Sequence, residues 1–217
     1  MRGFLGLTTS RRRRYNRGVF KSLYILRHGR TQANVVKALV GHTHSPLLPK
    51  SLEISRQIGE FLSPVDFDVF FVSPLERAVQ SYRAMNLTKV GRLIVEPRIK
   101  EINCGSCEGM ADFPQDLKKC FKEDPYATPF PEGESFQMVE KRVLEFLEEI
   151  KTTCAGKTVG VLSHWSPSGI MASALMGWRF RGLRDPWLQP NNSIYKFEEG
   201  QLSYIAVGKM DEWYRGH

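Results

Sequence analysis

An apolar run at residues 23–26 leads directly into Arg27, His28 and Gly29, and these residues suit phosphate chemistry. Thr31 is predicted to be the N-cap of a helix, whose positive end disfavours imidazolium and keeps His28 neutral and nucleophilic. Backbone N–H groups at such a helix start also attract anions. A lone histidine is more often structural, but the adjacent guanidinium of Arg27 suits bidentate phosphate binding. The pair therefore predicts a nucleophile beside a bound anion.

A second segment that could contribute to the chemistry is Ser73-Pro74-Leu75-Glu76. It has the pattern of a capping box with Ser73 as N-cap. Arg77 then falls in the first helical turn, where a cation opposes the helix dipole by ~0.3–1 kcal/mol. An anion bound in front of that turn would attract Arg77 and make its net electrostatic energy there favourable. Alone, Arg77 would be read as a surface arginine paired with a carboxylate. Together with Arg27 and His28, it predicts an anion site.

These residues follow apolar runs, and the runs predict the strands that must position them. Continuous apolar runs suit strands buried on both faces of a parallel sheet. The four runs are residues 23–26, 69–72, 93–95 and 158–162, whereas 193–197 and 202–207 alternate in polarity and are predicted edge strands. In parallel sheets ligands bind beyond the carboxyl ends of the strands, where His28, Ser73 and His164 would meet.

Two helices are recognisable from their patterns. Residues 167–176 are predicted to be helical, with Ser166 as N-cap, Pro167 in the first turn and Gly177 as the stop. A longer helix is indicated by apolar residues at three- and four-residue steps: Phe136, Val139, Val143, Phe146, Leu147 and Ile150. Strands that alternate with helices predict an α/β fold, a three-layer αβα sandwich with a mostly parallel central sheet.

The net charge of +8 over 217 residues is concentrated at the N-terminus. Residues 1–21 hold seven basic residues and no acidic one, whereas the rest of the chain is nearly neutral. This excludes a basic nucleic-acid-binding domain, and no apolar run is long enough to span a bilayer. We predict a basic, disordered arm at 1–21 and one domain at 22–217. The arm matches a mitochondrial transit peptide, but a merely solvated extension of a cytoplasmic protein, or a patch for nuclear import or anionic membranes, stays open.

Four cysteines are too few for a disulfide scaffold in a chain of this length, so a reducing compartment is the default expectation. Cys104-Gly-Ser-Cys107 has the spacing of half a zinc site or of a redox pair. Because no second pair accompanies it, the sequence does not favour a metal site. Metal ligands are predicted to be absent.

Four blocks, in order, resemble the histidine phosphatase superfamily in its phosphoglycerate-mutase-like branch. They are residues 26–34 (L-R-H-G-R-T-Q-A-N), 73–78 (S-P-L-E-R-A), 101–109 (E-I-N-C-G-S-C-E-G) and 162–164 (L-S-H). Residues 131–135 (P-E-G-E-S) also resemble the family's segment before its long helix. The resemblance covers about residues 22–200 and implies a phosphoglycerate-mutase-like fold.

The resemblance implies a role for each matching residue. His28 becomes the nucleophile that forms phosphohistidine, and Glu101 the acid that protonates the leaving oxygen and then activates water. Arg27, Arg77 and His164 would surround the transferred phosphoryl group. The remaining matches, Thr31 and Asn34, would line the substrate side. No cofactor is implied, because cationic side chains hold the phosphate, and the two neighbouring cysteines of the 101–109 block are then interpreted as packing residues.

Two segments depart from the family pattern. After His164 the family continues with small residues, whereas this chain reads Trp165-Ser-Pro-Ser-Gly169, and His44 stands where the family often has Asp. The resemblance favours a phosphatase of small phosphomonoesters, because the basic insertion of glycolytic mutases is missing between Glu101 and Gly133. A sugar phosphate is a weaker extension. A phosphoglycerate mutase is the alternative enzyme, a signalling protein that acts on or binds phosphoproteins is the alternative of another class, and a homodimer stays open.

Overall fold

A computed structural model describes residues 19–110, 126–182 and 189–207. Its centre is one six-stranded sheet in the order β3-β2-β4-β1-β5-β6. The strands are β1 Ser22–Arg27, β2 Val69–Val72, β3 Leu93–Val95, β4 Thr158–Ser163, β5 Ser193–Glu198 and β6 Gln201–Ala206. β1, β4, β2 and β3 run parallel, and β5 and β6 form an antiparallel hairpin beside β1. The prediction of a mostly parallel sheet is confirmed.

Helices cover both faces of this sheet. They are α1 Gln32–Val35, α2 Pro49–Leu62, α3 Glu76–Met85, α4 Phe136–Thr153 and α5 Trp165–Leu175, with 3-10 turns at Pro97–Ile99 and Gly105–Cys107. The apolar stripe of α4 packs with α5 on one face of the sheet. Buried residues of α2 and α3 pack on the other face. Two separate cores, one on each side of the strands, make the three-layer αβα sandwich that the sequence predicts.

The register of β1 and β4 positions the two histidines. Arg27, the last residue of β1, lies beside Ser163, the last residue of β4. The chain therefore leaves the sheet at His28 and at His164 on neighbouring strands, and the His28 amide donates to the Ser163 carbonyl at 3.1 Å. This is the edge at which parallel sheets bind ligands.

The outer strands correct two predictions. β3 was expected to be buried on both faces, but Leu93 and Val95 are 48% and 57% exposed. The reason is its position, because β3 is the last strand on the parallel side of the sheet. The segment at 193–197 was predicted as an edge strand, yet β5 lies between β1 and β6, so of these two strands β6 is the one at an edge.

The folded domain begins before residue 22. Phe20 is buried in the core, and the Lys21 amide donates to the Lys157 carbonyl at 2.9 Å. The rest of the predicted basic arm, residues 1–18, lies outside the described residues. No helix in the described ranges is long and apolar enough to cross a membrane.

Candidate active site

His28 is a buried imidazole with a defined proton position. Its Nδ1 lies 2.7 Å from the Gly29 carbonyl oxygen. A carbonyl only accepts, so Nδ1 carries the proton and Nε2 keeps a lone pair. The His28 carbonyl in turn accepts from the side chain of Asn191 and the amide of Asn192. The ring and its backbone are thus held from two sides.

Arg77 holds the nucleophilic nitrogen of His28. Its Nε donates to His28 Nε2 at 3.2 Å, from the second residue of α3. Burial lowers the pKa of His28 well below its ordinary value, and the positive charges of Arg77 and Arg27 lower it further. His28 is therefore neutral at neutral pH, which is the form that can attack phosphorus.

The remaining donors of Arg77 fix a loop over the site. Nη2 donates to the Gly41 carbonyl at 2.7 Å, and Nη1 to the Thr43 carbonyl at 3.4 Å. The amides of His42 and Thr43 donate to the two carboxylate oxygens of Glu108, at 2.6 Å each. Within the described ranges, the hydrogen bonds of Arg77 go to uncharged acceptors, while the negative charges of Glu101 and Glu108 act on it from nearby.

His164 lies against His28, with 4.9 Å between ring centroids. Its Nε2 is 2.7 Å from Ser73 Oγ, and its Nδ1 is buried with no hydrogen-bond partner among the described residues. Burial, followed by the charge of Arg77, lowers the pKa of His164 well below its ordinary value. Ser73 is not the predicted N-cap, because α3 begins at Glu76. Its hydroxyl is used by His164 and by a backbone amide.

Glu101 is buried and its carboxylate caps α5. Oε1 accepts from the amides of Ile102 at 2.9 Å and Ser166 at 3.2 Å, and Oε2 accepts from the amide of Trp165 at 3.0 Å. The prediction of Ser166 as N-cap was therefore wrong. The helix begins at Trp165, directly after His164, because a carboxylate distant in sequence satisfies its first amides.

Arg27 completes the cluster from the end of β1. Its Nη1 donates to the Gln189 carbonyl at 2.6 Å, and Gln189 donates its own amide to the carbonyls of Ile25 and Ser193. Arg27 lies close enough for its charge to lower the pKa of both His28 and His164. The five predicted core residues are brought together.

Thr31 and Asn34, predicted on the substrate side, hold each other. Thr31 is the N-cap of α1 as predicted, and its amide and hydroxyl both donate to Asn34 Oδ1. The Thr31 hydroxyl is buried in this capping box, so contact of these residues with substrate stays a prediction. Gly29 is closely packed, because a Cβ there would lie 3.0 Å from Ser51 Cβ.

The segments that depart from the family pattern lie beside the site. Trp165 opens α5 and its ring packs against Phe136, with 6.3 Å between centroids. Pro167 is the third residue of the helix, where its missing N–H costs no intrahelical bond. His44 is exposed. The departure at 165–169 is thus the first turn of a helix rather than an extra loop.

The cysteines of the 101–109 block behave differently from each other. Cys104 and Cys154 are buried free thiols, whereas Cys107 is buried and disulfide-bonded. The interpretation of Cys107 as a packing residue was therefore incomplete. Within the described ranges no three histidine, cysteine or acidic residues lie close enough to hold a metal ion.

Sequence reasoning placed Ser73 at this edge of the sheet, but as an N-cap and not as the partner of His164. It missed two residues that support the site: Glu108 as anchor of the 41–43 loop, and Arg142, which contacts the Glu101 carbonyl. Glu108 lies in a recognised block, which is the one signal that could have found it. The other two contacts join segments distant in sequence.

Known proteins are similar to this chain in sequence and in fold. The chain is 31% identical over 161 residues to phosphoserine phosphatase 1 of Hydrogenobacter thermophilus, covering 71% of this chain and 76% of the relative. It is 31% identical over 156 residues to a 2,3-bisphosphoglycerate-dependent phosphoglycerate mutase of Rhizobium etli, covering 66% and 74%. The fold matches the crystal structure of a putative alpha-ribazole-5'-P phosphatase from Escherichia coli, with TM-score 0.73, 21% identity and coverage of 87% and 96%.

The predicted resemblance and fold are confirmed, and relatives of both predicted enzyme types, phosphatase and mutase, are present. A profile of the family matches residues 23–206, which is most of the chain. The chain belongs to the histidine phosphatase superfamily (branch 1).

Proposed function

We propose that this protein is a metal-independent phosphatase that hydrolyses a small phosphomonoester through a phosphohistidine at His28. The observation that carries the proposal is the neutral, buried His28 with its Nε2 lone pair held by the Nε–H of Arg77. Arg27 and the unpartnered Nδ1 of His164 lie in the same cluster and supply further groups for phosphoryl oxygens. Phosphoryl transfer needs this kind of positioning and charge neutralisation more than other help from the protein.

In the first step the phosphoryl group replaces the contact between Arg77 and His28. Arg77 Nε–H turns to a phosphoryl oxygen, and the freed Nε2 lone pair attacks phosphorus. The P–N bond forms as the ester P–O bond breaks, and the leaving oxygen takes a proton from the protonated carboxyl of Glu101.

In the second step water attacks the phosphohistidine. Glu101, now a carboxylate, takes a proton from the water as its oxygen bonds to phosphorus. The P–N bond breaks, the electron pair returns to His28 Nε2, and inorganic phosphate leaves. The phosphohistidine replaces one difficult displacement by two displacements, each with a lower activation barrier.

The names of two relatives support this substrate class. One is phosphoserine phosphatase 1, and the other is an adenosylcobalamin/alpha-ribazole phosphatase of Escherichia coli. A sugar phosphate is also a phosphomonoester, and Arg30, two residues after His28 in the chain, would favour one with a second phosphate. The mutase relative from Rhizobium etli supports a second candidate, in which phosphohistidine returns its phosphoryl group to another hydroxyl.

The test measures phosphate release from a panel of phosphomonoesters, with His28→Gln as the variant. His44→Gln is the matched control, because His44 is exposed on the nearby loop. We expect release by the wild type and the control and none by His28→Gln. Acid-labile phosphate bound to the wild type and absent from His28→Gln would identify the intermediate. Unchanged release by His28→Gln refutes the mechanism.

Two further assays separate the alternatives. Conversion of 3-phosphoglycerate to its 2-isomer, in the presence of the bisphosphate, would indicate the mutase. Dephosphorylation of phosphopeptides without release from small esters would indicate the signalling alternative. The homodimer and the targeting arm stay predictions, to be tested by the mass of the protein in solution and by the cellular location of a chain that starts at Val19.

A further inference from the structure

Arg142, in the second turn of α4, joins α4 to the segment that carries Glu101. Its guanidinium forms a two-point ion pair with Glu134, Nε to Oε1 and Nη2 to Oε2, at 2.9 Å each. The same group donates to three backbone carbonyls between residues 98 and 101. Nη1 reaches the carbonyls of Arg98 at 2.6 Å and Lys100 at 2.8 Å, and Nη2 reaches the carbonyl of Glu101 at 3.0 Å.

Glu134 extends this hold to the other side of Glu101. Its Oε2 accepts from the amide of Asn103 at 2.9 Å, and its own amide donates to the Asn103 carbonyl at 2.8 Å. His42 Nε2 also donates to the Glu101 carbonyl, at 3.0 Å. One ion pair therefore holds the backbone on both sides of Glu101. Arg142 contacts carbonyls at residues 98–101, and Glu134 contacts Asn103.

The Glu101 side chain meets a different element. Its carboxylate lies on the first amides of α5, whereas its carbonyl is held by a residue of α4. Charge-assisted hydrogen bonds are short and strong, and a planar guanidinium fixes several acceptors at once. Arg142 thus fixes the backbone from which the Glu101 carboxyl projects, together with His42.

We propose that Arg142, with Glu134, is a positioning residue for proton transfer by Glu101. The proposal rests on the proposed function, in which Glu101 protonates the leaving oxygen. A misplaced acid should lower the rate of hydrolysis most for the ester whose leaving group depends most on protonation. An alkoxide leaving group requires the proton in the transition state, whereas nitrophenolate leaves readily without it.

The experiment compares kcat/KM for O-phosphoserine, an alkyl ester, with kcat/KM for 4-nitrophenyl phosphate. Because kcat/KM covers only steps up to the first irreversible one, it reports formation of the phosphohistidine rather than its hydrolysis. Glu101→Gln defines the full effect of losing the acid. We expect Arg142→Met to lower the alkyl-to-aryl ratio by about 10–100-fold, part of the ~10²–10⁴-fold contribution of a general acid. Arg142→Lys should recover part of the ratio.

Arg98→Met is the matched control. Arg98 also forms a two-point ion pair, with Glu96, and reaches Glu149 on α4, but its side chain does not contact Glu101. We expect this variant to lose stability without a change in the alkyl-to-aryl ratio. Thermal unfolding of all variants separates loss of fold from loss of position. If Arg142→Met does not fold, the near-isosteric Glu134→Gln is measured in its place.

An equal loss for both esters in the Arg142 and Glu134 variants, as in Arg98→Met, would overturn the positioning role. A wild type that hydrolyses neither ester would overturn the proposed function and this inference together. The two failures differ, because only the first leaves an active wild type with a selective defect in Glu101→Gln.

Discussion

Replacing Ser73 by alanine removes the single contact that sets the proton position of His164. The Ser73 oxygen accepts from the Leu75 amide at 3.3 Å and lies 2.7 Å from His164 Nε2. Among the described residues, His164 Nε2 is the only acceptor within reach of the Ser73 hydroxyl proton. The hydroxyl therefore donates to Nε2, and the neutral His164 carries its proton on the buried Nδ1, beside His28.

The size of the effect follows from burial. Both Ser73 and His164 are fully buried. Leaving one buried polar group without a partner costs about 1–3 kcal/mol. We expect Ser73→Ala to lower the free energy of unfolding by that amount. The His164 proton is then free to move to Nε2, which removes the Nδ1–H that we propose donates to a phosphoryl oxygen. Loss of one such donor should lower kcat/KM by roughly 10–100-fold.

The assay is nitrogen-15 NMR of the histidine rings, which distinguishes a protonated Nδ1 from a protonated Nε2. We expect His164 to be protonated at Nδ1 in the wild type and at both positions in exchange in Ser73→Ala. Ser55→Ala is the matched control. It removes another buried hydroxyl, which lies on α2 and contacts the Ser51 carbonyl and Asn192 Oδ1. A wild-type His164 protonated at Nε2 would refute the reasoning, whatever the activity of the variant.

Two further predictions concern the charge and the packing of the site. Burial lowers the pKa of His28 and His164, so as pH falls below ~6.5 the unfolded chain gains protons that the folded chain does not. Urea unfolding should therefore show stability falling by ~1.4 kcal/mol per pH unit for each histidine, and stability constant down to about pH 5 would contradict this. Gly41→Ala would place a Cβ 2.1 Å from the Ile102 carbonyl oxygen. The loop must move away from Arg77, with ~1–3 kcal/mol lost in thermal unfolding and reduced kcat/KM, whereas wild-type values for both would show that the loop yields freely.

Apolar periodicity predicted the interior of the fold because interior positions are decided by burial. The runs at 69–72 and 158–162 became buried strands, and the stripe from Phe136 to Ile150 became the core face of α4. The run at 93–95 is equally apolar but lies at the edge of the sheet. Strand order depends on pairing between distant segments, and no local pattern encodes it.

The site was predictable where a motif carried the chemistry and not where distant residues share a hydrogen bond. Thr31 caps α1 through a neighbour three residues away, a distance that a local pattern covers. Ser73 and Ser166 also look like caps in sequence. In the structure Ser73 is bound to His164, and the amide of Ser166 is bound to Glu101. Those partners lie 91 and 65 residues away in the chain, so no local pattern indicates them.

The order of the sheet has a consequence for how the protein is made. β1 carries Arg27 and precedes His28, but its two neighbours are β4 and β5, which follow β2 and β3 in the chain. Pairing between such distant strands is intrinsically slow, and it leaves apolar strands unpaired while synthesis proceeds. β2 pairs with β3 on one side, but its other neighbour is also β4. A nascent chain that ends before β4 therefore holds His28 at the end of a strand that lacks both neighbours. The cluster of side chains around His28 and the central sheet thus form in the same folding event.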